Sequence, residues 1–163
     1  MKKLFALIVL AAFLIACQQG KKQYFSDGPE IDMIKKMDQS FAAGDLTAIR
    51  NNYADTAKIW FNTWGDENAI SVDTLMARAQ AARSNYDEVK MSDPLIYEMV
   101  ELDNGNRWVH RWFRWDIKHK NGKSYSYNSH ASFMVMGGKI RAAGYVFNAL
   151  PGYLATQDSS AAK

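Results

Sequence analysis

The chain has 163 residues and a formal net charge of +3 at pH 7, and 13% of its residues are aromatic. This length fits one domain, and the aromatic content is enough to fill a core. The Lys and Arg residues form no cluster that could bind a phosphate backbone, which argues against a nucleic-acid partner.

The first 17 residues have the parts of a bacterial export signal. Lys2 and Lys3 supply a positive start, residues 4–14 form an apolar run, and Ala16 precedes Cys17, the only cysteine of the chain. The run is too short to span a membrane as a helix, which needs about 20 residues. A small residue followed at once by cysteine resembles the bacterial lipobox, whose cysteine is acylated. The alternative is an ordinary signal peptide in which the cysteine occurs by chance.

The lipobox resemblance implies that residues 1–16 are removed and that lipidated Cys17 anchors the protein to a membrane of the cell envelope. The mature chain would keep 18 basic and 17 acidic residues and be nearly neutral. Residues 17–28 are polar and predict a flexible tether of roughly 20 Å. Gln18 follows the cysteine where an aspartate would favour the inner membrane, so the resemblance favours the outer membrane.

Hydrophobic periodicity predicts the elements of the domain. Apolar residues at helical spacing after Pro29, a favoured first helical position, predict a helix that Gly44 ends. Asp45 is placed to cap a second, short helix, and a third is expected over residues 72–86. Strands are predicted over residues 57–62, 94–102, 107–119, 123–136 and 139–150. Residues 157–163 are expected to form a tail.

The later strands alternate in hydrophobicity with a period of two, and the dipeptides between them are typical of hairpin turns. These dipeptides are Asn104-Gly105, Asn121-Gly122 and Gly137-Gly138. Three helices followed by hairpin-connected strands predict the α+β class, with a curved antiparallel sheet wrapped around three N-terminal helices.

Three segments carry a resemblance to a known superfamily. Gly44 to Ala57, Asn68 to Asp73 and Gly138-Lys139-Ile140 resemble, in order and spacing, the SnoaL-like branch of the nuclear transport factor 2-like superfamily. The resemblance implies a cone-shaped, cystatin-like domain over residues 29–156. It also implies a pocket at the wide end and a homodimer formed through the outer face of the sheet. The superfamily includes isomerases, dehydratases, hydrolases and binding domains, so the fold does not identify the function.

Two enzyme types of this superfamily match the chain poorly. Ketosteroid isomerases need a tyrosine, a carboxylate base and a protonated acid, and the resemblance places Met37, Phe61 and His130 at these positions. Methionine cannot donate a hydrogen bond, and phenylalanine cannot accept a proton. Limonene-type epoxide hydrolases have an arginine two residues before an aspartate, as at Arg114. Their second aspartate is replaced by Tyr145, and a single acid cannot both activate water and protonate the epoxide.

Hairpin register predicts which side chains line the pocket. A two-residue turn at Gly137-Gly138 pairs His130 with Tyr145, and the resemblance places this face in the pocket. A two-residue turn at Asn121-Gly122 would add Arg111, Phe113 and Trp115 to the pocket, whereas a three-residue loop would add His110, Trp112, Arg114 and Asp116. The second set is favoured because its polar side chains suit a pocket that contains water. The predicted ligand-binding residues are Phe61, His110, Trp112, Arg114, Asn128, His130, Tyr145 and Phe147.

These patterns favour a lipid-anchored pocket domain that binds a small apolar or aromatic ligand without conventional catalysis and without a cofactor. An enzyme that uses His130 as acid or base is the first alternative, because histidine titrates near neutral pH. A structural dimer with a filled pocket is the second. No metal site is expected, since His110, His119 and His130 lack a paired spacing.

Overall fold

A computed structural model describes residues 23–157. The helices are Pro29–Ala43 (α1), Leu46–Arg50 (α2), Val72–Ser84 (α3) and Leu150–Thr156 (α4). The strands are Tyr24–Phe25 (β1), Tyr53–Phe61 (β2), Tyr86–Glu101 (β3), Arg107–His119 (β4), Ser124–Met136 (β5) and Lys139–Phe147 (β6). The predicted signal peptide, Cys17 and the tail after Gln157 lie outside the described residues. Within residues 23–157, no helix is long and apolar enough to cross a membrane.

The six strands form one curved sheet in the order β1-β3-β4-β5-β6-β2. Neighbouring strands are antiparallel, except that β2 pairs with β6 in parallel. The α+β prediction is confirmed, although the sheet is mixed. The first three helices pack on one face of the sheet, so that face is apolar while the other remains half-exposed.

Helix α1 anchors the helical layer to the sheet. Pro29 occupies its first turn, and Gly44 ends it with a φ of 82°, a conformation that glycine adopts without strain. Ile31 and Ile34 are completely buried. They belong to a core that also contains, from the sheet, Ile59, Met99, Val109, Phe133, Val135 and Ile140.

Several element boundaries differ from the prediction, and β2, for example, begins at Tyr53 rather than at residue 57. Tyr24–Phe25 pair with Val100 and Met99 of β3, so this part of the predicted tether belongs to the sheet. Strand β3 starts well before Pro94, because an irregular register between Ser92 and Ile96 lets a residue without an N–H remain in the strand. The last strand ends at Phe147, and α4 follows with a proline in its first turn.

The hairpin between β5 and β6 determines which side chains face the helices. Its turn is the expected one, since Met136 pairs with Lys139 and Val135 with Ile140. Met134, however, pairs with Ala142, so Arg141 is an extra residue in β6. Such a bulge reverses the faces of all residues beyond it relative to the partner strand.

The predicted pairing of His130 with Tyr145 was therefore wrong by one residue. His130 pairs with Val146, and Tyr145 pairs with Ala131. The loop between β4 and β5 is the predicted three-residue loop, and it pairs His130 with Trp112. The neighbours expected for His130 on β4 are thus correct, whereas Tyr145 lies on the other face of the sheet.

Candidate functional site

A cavity of about 400 Å³ lies between the helices and the concave face of the sheet. Its aromatic walls come from Phe41, Phe61, Trp115, Tyr127, Tyr145 and Phe147. Met37, Ile49, Leu75 and Met76 add aliphatic surface. This volume falls in the range of small-molecule sites, which are concave and mostly apolar with a few placed polar groups.

Local sequence positions the walls. Helix α3 begins at the cap Ser71, whose Oγ accepts a hydrogen bond of 3.2 Å from the backbone N–H of Thr74. The helix then presents Ala79 and Ala82, small residues that leave room for the cavity. From the sheet, the ring of Phe61 on β2 stacks on Tyr145 of β6 with centroids 5.0 Å apart.

The structure divides the predicted ligand-binding residues into two groups. Phe61, Tyr145 and Phe147 line the cavity. His110, Trp112, Arg114, Asn128 and His130 lie on the opposite face of the sheet, in register with one another. The bulge at Arg141 causes this separation, because it places Tyr145 and Phe147 on the face that His130 does not share. On β4, the other predicted set supplies the cavity residues Arg111 and Trp115.

The outward histidines form a stacked surface cluster. His130 stacks on Trp112 with ring centroids 4.7 Å apart and on His110 at 5.6 Å. The Nδ1 atom of His110 lies 2.9 Å from the hydroxyl of Ser132. Arg114 donates a hydrogen bond of 2.8 Å to Asp116 on the same strand. A side chain on this face cannot reach a ligand in the cavity, so His130 cannot act there as acid or base.

A buried ion pair lies at the inner end of the cavity. Asp38 of α1 contacts Arg111 of β4, and their side chains are 3% and 5% exposed. The hydroxyl of Tyr97 donates a hydrogen bond of 3.0 Å to the second carboxylate oxygen of Asp38. The guanidinium of Arg111 also lies 4.6 Å from the ring centroid of Phe113 and 4.9 Å from that of Phe133. Burial lowers the pKa of Arg111 to about 10, so it remains a cation at pH 7.

This ion pair was not predicted from the sequence, although the residue pattern contains a signal for it. Asp38 follows Ile34 by four residues and therefore lies on the apolar face of α1. Arg111 lies between Val109 and Phe113 at a spacing of two residues, so all three side chains are on the buried side of β4. A charge on an apolar face needs a partner of opposite sign, but only the fold brings these two residues together.

Two tyrosine hydroxyls meet beside the ion pair. The hydroxyl oxygens of Tyr53 and Tyr145 lie 2.6 Å apart. Burial raises the pKa of both phenols, so both are protonated at pH 7. Among residues 23–157, the cavity lining therefore offers neutral hydroxyls and the guanidiniums of Arg78 and Arg111, while its one carboxylate is held by Arg111 and Tyr97. Among the described residues, no group of three or more His, Cys, Asp or Glu side chains could hold a metal ion.

Comparisons with known proteins identify the fold. No protein-family model matches the chain, and no curated protein matches it in sequence. A solved structure from Pseudomonas putida, proposed to be a polyketide cyclase, is similar with a TM-score of 0.64 at 14% identity, over 80% of this chain and 100% of that one. A nuclear transport factor 2-like protein from Anabaena variabilis gives a TM-score of 0.57 at 17% identity, over 72% and 84% of the two chains.

This chain has the nuclear transport factor 2-like fold. AclR of Streptomyces galilaeus, proposed to be a hydroxylase, is also similar, with a TM-score of 0.62 at 14% identity over 76% of this chain and 91% of that one. The fold predicted from the sequence is thus confirmed. Proteins with such different proposed activities share it, so any activity has to be argued from the cavity.

We expect Arg111→Met to lower the free energy of unfolding by about 3–5 kcal/mol, because it leaves the carboxylate of Asp38 buried without its cation. Adding Asp38→Leu should restore most of this loss, since apolar side chains can replace a buried ion pair. Urea unfolding of the wild type, both single variants and the double variant measures the coupling. Additive losses in the double variant would contradict the pairing.

Proposed function

We propose that this domain binds a small aromatic or largely apolar molecule in its cavity, without conventional catalysis. The main support is the cavity of about 400 Å³, whose walls are mostly aromatic and whose charged lining residues are Asp38, Arg78 and Arg111. Ligand sites of this kind gain affinity from the apolar walls and orientation from the polar groups. The open volume argues against a purely structural domain with a filled pocket.

The state of the polar groups favours binding over catalysis. General base catalysis needs a proton acceptor that is free to take a proton. Asp38 is already bound to Arg111 and Tyr97, and Tyr145 is a neutral phenol. His130, the acid or base of the alternative enzyme hypothesis, lies on the other side of the sheet. The similar cyclase and hydroxylase structures support the fold and do not supply the missing base.

The fluorescent probe N-phenyl-1-naphthylamine tests this proposal, because it is neutral, aromatic and brighter in apolar surroundings. We expect saturable binding by the wild type. Ala79→Trp should weaken that binding by about tenfold or more, since the indole would fill part of the cavity. Ala77→Trp, at an exposed position of the same helix, is the matched control and should bind as the wild type does. Equal binding by all three proteins, or none by the wild type, would contradict a ligand-binding cavity.

We further propose that lipidated Cys17 holds the domain in the cell envelope, at the outer membrane. The support is the apolar run before Ala16-Cys17 and the absence of an aspartate after the cysteine. A stable anchor of this kind needs two or more acyl chains, because one chain binds only marginally.

Metabolic labelling with a fatty acid tests the anchor in cells that express the full chain. The wild type should take up the label, and Cys17→Ala should not, because no thiol remains to be acylated. Fractionation should place the wild type in the outer membrane and Gln18→Asp in the inner membrane. Equal labelling of wild type and Cys17→Ala would contradict lipidation, and recovery of the wild type from the inner membrane would contradict the sorting.

We also propose a homodimer through the outer face of the sheet. Large apolar side chains remain uncovered on or beside this face: Ile96 is 48% exposed, Val146 50% and Trp64 58%. The Nε2 atom of His130 is buried yet has no hydrogen-bond partner within residues 23–157. A second copy would cover the exposed apolar side chains on this face.

The dimer should weaken as the pH falls from about 7 to about 5. Burial lowers the pKa of His110 and His130, and the neighbouring His110 and Arg111 lower that of His130 further, while Glu98 opposes both shifts. Both rings are therefore neutral at pH 7, and an interface would disfavour their protonated forms still more. Light scattering of the acyl-free domain at micromolar concentration should show twice the monomer mass at pH 7. A monomer there would reject the dimer, and an unchanged mass at pH 5 would reject the role of the histidines.

A further inference from the structure

We infer that the ligand of this cavity carries an anionic oxygen group, which Arg111 binds at the inner end while the aromatic walls hold the rest of the molecule. This inference rests on the proposed ligand-binding function and names the chemical class of the ligand. Three observations carry it: the charge balance of the lining, the incomplete hydrogen bonding of Arg111, and the donor groups on the neighbouring strand.

The charge balance of the lining is positive. Of the charged side chains that line the cavity, Asp38 is the only acid, whereas Arg78 and Arg111 are cations. Arg78 of α3 lies with its guanidinium 5.8 Å from the ring centroid of Phe61 and pairs with no carboxylate of residues 23–157. Asp38 offsets Arg111, so the lining keeps one net positive charge, that of the exposed Arg78, and this charge attracts a negative ligand toward the cavity. A cleft with low-dielectric walls strengthens this preference.

Arg111 has donors that its ion pair does not use. A guanidinium carries five N–H donors. Nε and Nη1 are both buried and make no hydrogen bond of ordinary geometry within residues 23–157, although Nη1 contacts Asp38. Leaving a buried charged donor unsatisfied costs more than leaving a neutral one. Because Nε itself is closed to solvent, a ligand oxygen would reach the guanidinium from the cavity that Arg111 lines, and a carboxylate or a similar oxyanion fits its planar fork best.

The neighbouring strand adds neutral donors on the same face. Ser129 and Tyr127 of β5 line the cavity, and Ser129 pairs with Phe113, two residues beyond Arg111 along β4. Burial raises the pKa of Tyr127, so its phenol keeps its proton at neutral pH. Hydroxyl donors beside a guanidinium are suited to bind an oxyanion, and they do not attract a cationic ligand.

Competition between two matched molecules tests the inference. The full folded domain is loaded with N-phenyl-1-naphthylamine, which is then displaced by 2-naphthoate or by the neutral isostere 2-naphthamide. We expect naphthoate to compete about tenfold or more better than the amide, the ratio for one charge-assisted hydrogen bond. Equal competition by both, or competition by neither, would overturn the anion inference while the proposed function stands. Failure of the reporter itself to bind would overturn both.

Variants locate the anion within the cavity. The double variant Asp38→Asn, Arg111→Gln keeps hydrogen-bonding groups of similar size, and we expect it to bind the reporter while losing the preference for naphthoate. Lys36→Gln removes an exposed cation of α1 outside the cavity and should keep the preference. The assignment to Arg111 would be overturned if the double variant still preferred naphthoate over the amide. It would also be overturned if Arg78→Gln abolished that preference. If the double variant fails to bind the reporter, Arg111→Lys replaces it and should retain a reduced preference, because lysine keeps the charge but not the planar fork.

Discussion

The single extra residue at Arg141 is the constraint on which the cavity depends. Side chains on a strand alternate between the two faces, so one inserted residue exchanges the faces of everything beyond it relative to the partner strand. Tyr145 and Phe147 therefore point toward the helices, while Val146 joins His130 on the outer face. Without the bulge, the cavity would lose two of its aromatic walls.

The ion pair between Asp38 and Arg111 is the second feature that shapes the interior. It connects α1 to the middle of the sheet within an otherwise apolar layer. A buried ion pair is weak evidence for stability, because removing two charges from water costs about as much as their attraction returns. We interpret the role of this pair as positional. It holds the buried guanidinium of Arg111 against the aromatic cavity, where water screens its charge little.

We propose different binding roles for the two faces of the sheet. The concave face binds a ligand, and the convex face, with its stacked His110, Trp112 and His130, meets a second copy. The enzyme hypothesis required His130 on the concave side. Since the backbone of the sheet separates the two faces, neither a small rotation nor a change of rotamer can transfer that ring to the cavity.

The sequence by itself determined the fold class, because hydrophobic period and turn residues are local properties. Pro29, Gly44 and the glycine-containing hairpins could be interpreted in this way, and the superfamily resemblance placed Phe61, Tyr145 and Phe147 near a pocket. The order of the elements, and hence the curved sheet around the helices, followed from the same patterns.

Only the tertiary structure decided which residues meet. The bulge at Arg141 has no local sequence signal, since it depends on how β6 fits between β5 and β2. The meeting of Asp38 with Arg111 likewise joins residues far apart in the chain, and neither position predicts its partner. Register and long-range pairing are settled by the packing of the whole sheet against α1, which is why the face of His130 could not be obtained from the sequence.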